Sequence, residues 1–178
     1  LEIGIGGNDR QVGGQSLNAW QCYFPFARIA ACDIEPKHEL NAWRTRIHRL
    51  DQSSRSDLDR LCREDGPFDV IIDDGSHLNR HQIFTFEVLF PTLKQGGVYV
   101  VEDVQTSYWS KDRWDGAHVT DPAFESTCMG YFLSLAKYLN HQEFMTTDDV
   151  DPKRLSLARS IRQIVFEHNL IIVLKQPS

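Results

Sequence analysis

Residues 68–77 read Phe-Asp-Val-Ile-Ile-Asp-Asp-Gly-Ser-His. An apolar, β-branched run ends abruptly in two carboxylates, a glycine turn and a histidine. A second run, Gly97-Val98-Tyr99-Val100-Val101, stops in the same way at Glu102-Asp103. Continuous apolar runs of this length mark strands buried on both faces of a parallel sheet. In open α/β sheets, functional groups gather beyond the carboxyl ends of the strands. Two such endings on strands expected to be neighbours deliver acids and a histidine to one edge. An enzyme is therefore the leading reading.

Working outward, apolar runs alternate with helical patterns. Residues 1–5, 27–34, 45–50, 68–73 and 97–101 read as strands. Helices are predicted over 16–23, near 37–42, and over 55–64 and 79–93, the first begun by a Ser16 cap. This rhythm predicts a doubly wound, mostly parallel, seven-stranded Rossmann-like α/β sheet. The runs 161–167 and 170–175, separated by His168-Asn169, predict a C-terminal antiparallel hairpin that closes it. Residues 105–121 show no periodicity and are expected to form a functional loop. A helix is expected over 122–139. The chain reads as a single domain, 1–178, and Leu1-Glu2-Ile3-Gly4 resembles the middle of a strand, so further residues are expected ahead of it.

Bulk properties narrow the partners. The 178 residues carry 19 basic and 25 acidic side chains, a net charge of −6. That balance argues against nucleic acid, whose binders show a basic stripe. No apolar run approaches the ~20 residues that cross a bilayer, so no membrane partner is expected. The four cysteines (Cys22, Cys32, Cys62, Cys128) form no Cys-x-x-Cys pair, and free thiols fit a reducing cytoplasm.

Two constellations carry chemistry. In Glu2-Ile3-Gly4-Ile5-Gly6-Gly7, small residues let a nucleotide-type cofactor approach the backbone near a helix N-terminus. Asp33, at the end of the second strand, is placed for ribose hydroxyls; its alternative role is a helix cap. Asp51-Gln52, beyond the third strand, either lines the same pocket or caps the next helix. The second constellation joins Asp74 to Glu102 and Asp103. Crowded carboxylates repel unless a cation sits among them, and oxygen ligands suit Mg²⁺, Mn²⁺ or Ca²⁺. His77, three residues past Asp74, stays on the same rim and can take a proton near neutral pH. His77 and His81 have zinc-pair spacing but lack a third soft ligand. His38, His48, His118, His141 and His168 are expected at the surface. The aromatics Tyr108, Trp109 and Trp114 suggest a lid or a stacking wall.

Leu-Glu-Ile-Gly-Ile-Gly-Gly, Gly13-Gly14-Gln-Ser-Leu-Asn-Ala-Trp, Asp33-Ile34, Asp51-Gln52, Asp-Asp-Gly-Ser-His and Val-Glu-Asp-Val-Gln-Thr-Ser-Tyr-Trp together resemble one family. It is the class I S-adenosylmethionine-dependent sugar O-methyltransferases that tailor natural products such as macrolides and rhamnosylated tetracenomycins. The resemblance implies the class I methyltransferase fold, with Mg²⁺ on Asp74, Glu102 and Asp103 and a base at His77. It also implies an S-adenosylmethionine pocket lined by Glu2, Gly4, Gly6, Asp33, Asp51, Gln52 and Asp73. The implied reaction is direct methyl transfer to a sugar hydroxyl of a small-molecule glycoside, in an antibiotic pathway in the cytoplasm. The resemblance is to the catalytic half of the macrolide enzymes, so their additional N-terminal domain and the helix before the first strand are expected to lie outside this sequence. Its oligomeric state is left open, homo-oligomers included. Two other classes stay in play: an NAD-dependent oxidoreductase, because the glycine turn and Asp33 also serve that cofactor, and a non-catalytic ligand-binding homologue.

Overall fold

A computed structural model describes residues 1–7, 13–146 and 148–177. In chain order the elements are β1 (Glu2–Ile3), α1 (Gln15–Tyr23), β2 (Ile29–Asp33), β3 (Thr45–Arg49), α2 (Arg55–Asp65), β4 (Val70–Asp73) and α3 (Asn79–Leu89). β5 (Val98–Glu102), α4 (Lys111–Trp114), α5 (Cys128–Ala136), α6 (Pro152–Ala158), β6 (Ile161–Glu167) and β7 (Leu170–Lys175) follow. The strands form one sheet in the order β3-β2-β1-β4-β5-β7-β6. β1 to β5 are parallel, and β7 adds antiparallel to β5 and to β6. This is the class I methyltransferase architecture, with the expected C-terminal hairpin. Asn169 supplies the left-handed backbone (φ 60°) of its two-residue turn.

The period-two alternation of β2 divides the core. Ala30 and Cys32 join the main cluster with Leu58, Leu61, Phe86, Phe90, Tyr99 and Phe132. Ile29 and Ala31 point the other way, onto Leu17 and Ile47 with Trp20 and Leu40. The main cluster centres on Phe86, whose ring lies 4.7 Å from Phe132 and 5.2 Å from Tyr99. Truncating a side chain so placed costs about 3–5 kcal/mol. Together these contacts clamp α3 and α5 onto β5, which fixes the strand ends that carry the acids.

The structure revises several expectations. β1 is shorter than 1–5, because Gly4 turns into the left-handed region (φ 84°) immediately after Ile3. Ser16 does not cap α1. Gly14 holds the cap position, and the Ser16 hydroxyl instead donates to the Glu2 carboxylate at 2.5 Å. The segment near 37–42 is a short 3₁₀ turn, His38–Leu40. The helix expected over 79–93 ends at Leu89 and continues as a 3₁₀ turn through Pro91. The helix expected over 122–139 is broken at Thr127, whose hydroxyl accepts from Gly130 N to start α5 afresh. Residues 105–121 are not structureless: they contain a 3₁₀ segment, Val104–Tyr108, and α4. α6 goes beyond the helices the sequence predicts, although Asp151-Pro152 supplies a cap followed by proline at the first helical position. Among the described residues, no helix is long and apolar enough to cross a membrane.

Candidate active site

The register of the sheet sets the site. Ile3 and Val101 both lie opposite Asp73, so Gly4, Asp74 and Glu102 come level at the carboxyl edge. Asp74 N donates to Ile3 O at 2.9 Å, and the backbone then parts from the sheet. A Cβ at Gly4 would overlap the Asp74 carbonyl, so only glycine lets the first loop lie against the Asp-Asp-Gly-Ser-His loop.

Asp73 is fully buried and points into the fold. It accepts from Gln52 Nε2 at 3.1 Å and, more distantly, from Gly75 N and the Tyr99 hydroxyl. Burial pushes its carboxyl up to about 7, against the hydrogen bonds from Gln52, Gly75 and Tyr99. Gln52 is buried as well. Its amide also reaches Thr85, and its carbonyl oxygen accepts from Ser76 N at 2.6 Å. Asp73 and Gln52, both expected in the cofactor pocket, thus brace the turn that separates Asp74 from His77.

Asp74, His77 and Asp103 each offer a ligand atom, and these atoms lie within 4.8 Å of one another. His77 Nε2 is 3.5 Å from Asp103 Oδ2. Both residues are in the left-handed region (φ 55° and 53°), a conformation that costs non-glycine residues about 1–2 kcal/mol. Strain of this kind, held in place by a packed core, aims two side chains at one point. Glu102 is not among the three. It lies beside them, its carbonyl accepting from Gln82 Nε2 at 2.8 Å.

The electrostatics suit a cation. Burial, then Asp103 and Glu2, raise the Asp74 carboxyl to about 6. Burial, then Asp74 and Asp103, push Glu102 up. Burial lowers His77 against the opposing pull of Asp103 and Glu102, which favours a neutral imidazole. His77 Nδ1, Gln82 Oε1 and Gln105 Oε1 are buried without a partner among the described residues. Unpaired donors and acceptors inside a fold are costly, and a hydrated ion with its ligands would engage such groups. Carboxylate oxygens in this number fit a hard divalent cation. His81 takes no part in the cluster; its Nδ1 pairs with the Ser76 hydroxyl at 2.9 Å.

The glycine-rich loop lies on the other side of Gly4. Gly6 has open space where a Cβ would be. Glu2 is buried, with its two oxygens accepting from Ser16 and from Trp20 Nε1 at 3.0 Å; it fastens α1 to β1. Asp33 accepts from Ile5 N at 3.1 Å and Glu35 N at 3.0 Å. Lys37, which sequence reasoning passed over, is buried, pairs with Asp33 at 3.3 Å and donates to the Gly6 carbonyl. Asp51 lies at the rim, accepting from Ser53. His48 is not a surface residue: it is 5% exposed and paired with Asp65, because α2 packs its acidic C-terminal turn over β3. Sequence reasoning also missed Asn79, which is buried and makes contacts to three segments. The one signal for it is its place two residues after His77, at the start of a helix.

Comparison with known proteins shows the family. A family model described as a methyltransferase domain matches residues 2–104. The mycinamicin VI 2''-O-methyltransferase of Micromonospora griseorubida is 37% identical over 176 residues, 98% of this chain and 43% of that protein. The 8-demethyl-8-(2-methoxy-alpha-L-rhamnosyl)-tetracenomycin-C 3'-O-methyltransferase of Streptomyces olivaceus is 42% identical over 156 residues, 85% of this chain and 38% of that one. The solved MycE methyltransferase of the mycinamycin biosynthetic pathway, in complex with Mg and SAH, superposes with a TM-score of 0.89 at 37% identity, covering 99% of this chain and 44% of that chain. In a second MycE structure (TM-score 0.85, 34% identity, 99% of this chain and 44% of that one) mycinamycin VI is present as well. The chain therefore spans less than half the length of these relatives.

Proposed function

The chain belongs to the methyltransferase-domain family, and from that premise we propose that it is an S-adenosylmethionine- and Mg²⁺-dependent O-methyltransferase acting on a sugar hydroxyl of a glycosylated natural product. The observation that carries this reading is the convergence of Asp74, His77 and Asp103 at the carboxyl edge of β4 and β5. The relatives named for methyl transfer to macrolide and rhamnosyl acceptors supply the acceptor class.

The side chains divide the work. Asp74 and Asp103, with Glu102 beside them, would hold the cation. A divalent ion there lowers the pKa of a coordinated hydroxyl. S-adenosylmethionine supplies the methyl group as an electrophilic sulfonium. His77, held mostly neutral by burial, accepts the hydroxyl proton at Nε2, the nitrogen that faces Asp103. Gly6 would leave room for the cofactor to lie along the backbone, and Asp33, at the end of β2, would meet its ribose. Gln52 and Asp73 support the loop from beneath. A nicotinamide oxidoreductase gives the acidic cluster no task, and we set it aside.

The test is methyl transfer to mycinamicin VI, used as the probe acceptor and followed by mass spectrometry. The account expects a gain of one methyl group that stops in EDTA and returns with excess Mg²⁺. Transfer that persists unchanged in chelator refutes the metal's role. Binding of NAD(H) without binding of S-adenosylhomocysteine refutes the class.

A further inference from the structure

The segment after β5 carries Tyr108, Trp109 and Trp114. Tyr108 and Trp109 are half-exposed, Trp109 and Trp114 meet edge to face at 5.5 Å, and a cavity of about 290 Å³ opens beside them, lined in part by Tyr108, Trp109, Lys111 and His118. The segment closes on itself. Ala117 N donates to Ser107 O at 2.9 Å, and a Cβ at Gly116 would strike the Thr106 and Trp109 carbonyls.

Two side chains join this closed loop to the helix that follows His77. Asp115, in the left-handed region (φ 51°), accepts from Asn79 N at 2.8 Å and Arg80 N at 3.1 Å. It also pairs with Arg80 Nη1 at 3.0 Å. It thereby caps α3 from a distant part of the chain, whereas Leu78 at the cap position has no side chain that could do so. Asn79 faces the other way. Its amide nitrogen donates to Trp114 O at 2.9 Å, and its carbonyl oxygen accepts from the Ser107 hydroxyl at 2.7 Å and Cys128 N at 2.6 Å. The Ser107 hydroxyl in turn accepts from Met129 N at 3.0 Å. One buried amide therefore ties together α3, the aromatic loop and the start of α5.

We propose that Asp115 and Asn79 are a positioning pair that clamps the aromatic segment 104–117 to the helix following His77, so that the acceptor wall and the base are held as one body. His77 is two residues from Asn79 and itself sits in a strained backbone conformation, so its aim depends on where α3 begins. The catalytic part of the proposal rests on the function proposed above; the mechanical part does not.

Asp115→Gly tests both. Glycine accepts the left-handed backbone, so the variant deletes the carboxylate without disturbing the turn. Hydrogen exchange reads the mechanics. Exchange is expected to quicken about tenfold or more at Asn79 and Arg80, and equally at Ala117 and Met129, whose partners belong to Ser107, while the β5–β7 amides are unchanged. Faster exchange confined to Asn79 and Arg80 overturns the clamp. With mycinamicin VI as probe, kcat is expected to fall about tenfold or more, since small misplacements of reacting groups are costly. Affinity for S-adenosylhomocysteine should stay within about twofold, and Asp115→Asn, which keeps one acceptor oxygen, should recover part of the rate. A kcat within about twofold of the parent, or an equal loss of S-adenosylhomocysteine affinity, overturns the positioning role. If Asp115→Gly does not fold, Ser107→Ala repeats the exchange test from the other side of Asn79, read at Asn79, Cys128 and Ala117. If the parent protein transfers no methyl group, the function proposed above fails, and the exchange result still decides the clamp.

Discussion

His77 Nε2 stands 3.5 Å from Asp103 Oδ2, and both residues hold left-handed backbone at the ends of adjacent parallel strands. A histidine and an acid from loops 26 residues apart in sequence are thus set against each other by strand register and by strain rather than by sequence spacing. A base beside a cation ligand is the relationship a hydroxyl methyltransferase needs, because the proton leaves from the oxygen that the ion polarises.

His77→Ala and Asp74→Asn should separate proton transfer from cation binding. Without His77, methyl transfer is expected to fall about 10²–10⁴-fold, while calorimetric affinity for S-adenosylhomocysteine stays within about twofold of the parent. Without the Asp74 charge, transfer should be lost at ordinary Mg²⁺ concentrations. In chelator, the Asp74→Asn variant should nevertheless melt no lower than the parent, because one charge leaves a repulsive group. A variant at position 74 that keeps full activity in EDTA contradicts the assignment.

Asp73 should make stability depend on pH. Its carboxyl titrates at about 7 in the fold and near 3.9 in the unfolded chain. Between those values the folded protein holds a proton that the unfolded chain has released. The stability contributed by Asp73 is therefore full below about pH 4 and is lost as pH rises to about 7, by up to ~1.4 kcal/mol per pH unit. Asp73→Asn removes that slope. Urea denaturation in EDTA from pH 4.5 to 8 reads it directly, and an unchanged slope in the variant would show that Asp73 is ionised in the fold.

Gly4 and Gly6 should behave differently on substitution by alanine. At Gly4 a methyl group meets the Asp74 carbonyl and the backbone is left-handed, so a loss of more than ~2 kcal/mol is expected. At Gly6 there is open space, and only the backbone preference opposes the change, by about 1 kcal/mol. Gly6→Ala should fold and yet bind S-adenosylhomocysteine several-fold more weakly. Unchanged affinity there would move the cofactor away from Gly6.

Much of this was legible because it is local. Parallel strands buried on both faces announce themselves as apolar runs, and the hairpin at Asn169 follows from a two-residue turn. The carboxylates at the ends of β4 and β5 follow from where those runs stop. What escaped depends on distant contacts. Ser16 has the chemistry of a cap, but Glu2 takes its hydroxyl. His48 alternates outward in no visible pattern, and only the packing of Asp65 over β3 buries it. The order within 104–117 comes from Asn79 and Asp115, separated by 36 residues, and leaves no periodicity to read. The left-handed backbone at positions 77 and 103, which sets His77 against Asp103, is not displayed by sequence.

The most direct measurement is Mn²⁺ anomalous scattering from crystals grown with S-adenosylhomocysteine. The account predicts one peak about 2–2.3 Å from carboxylate oxygens of Asp74 and Asp103, with Glu102 and His77 bordering it. S-adenosylhomocysteine bound with no peak there, or with Mn²⁺ only at another acidic group such as Glu64 and Asp65, would contradict it.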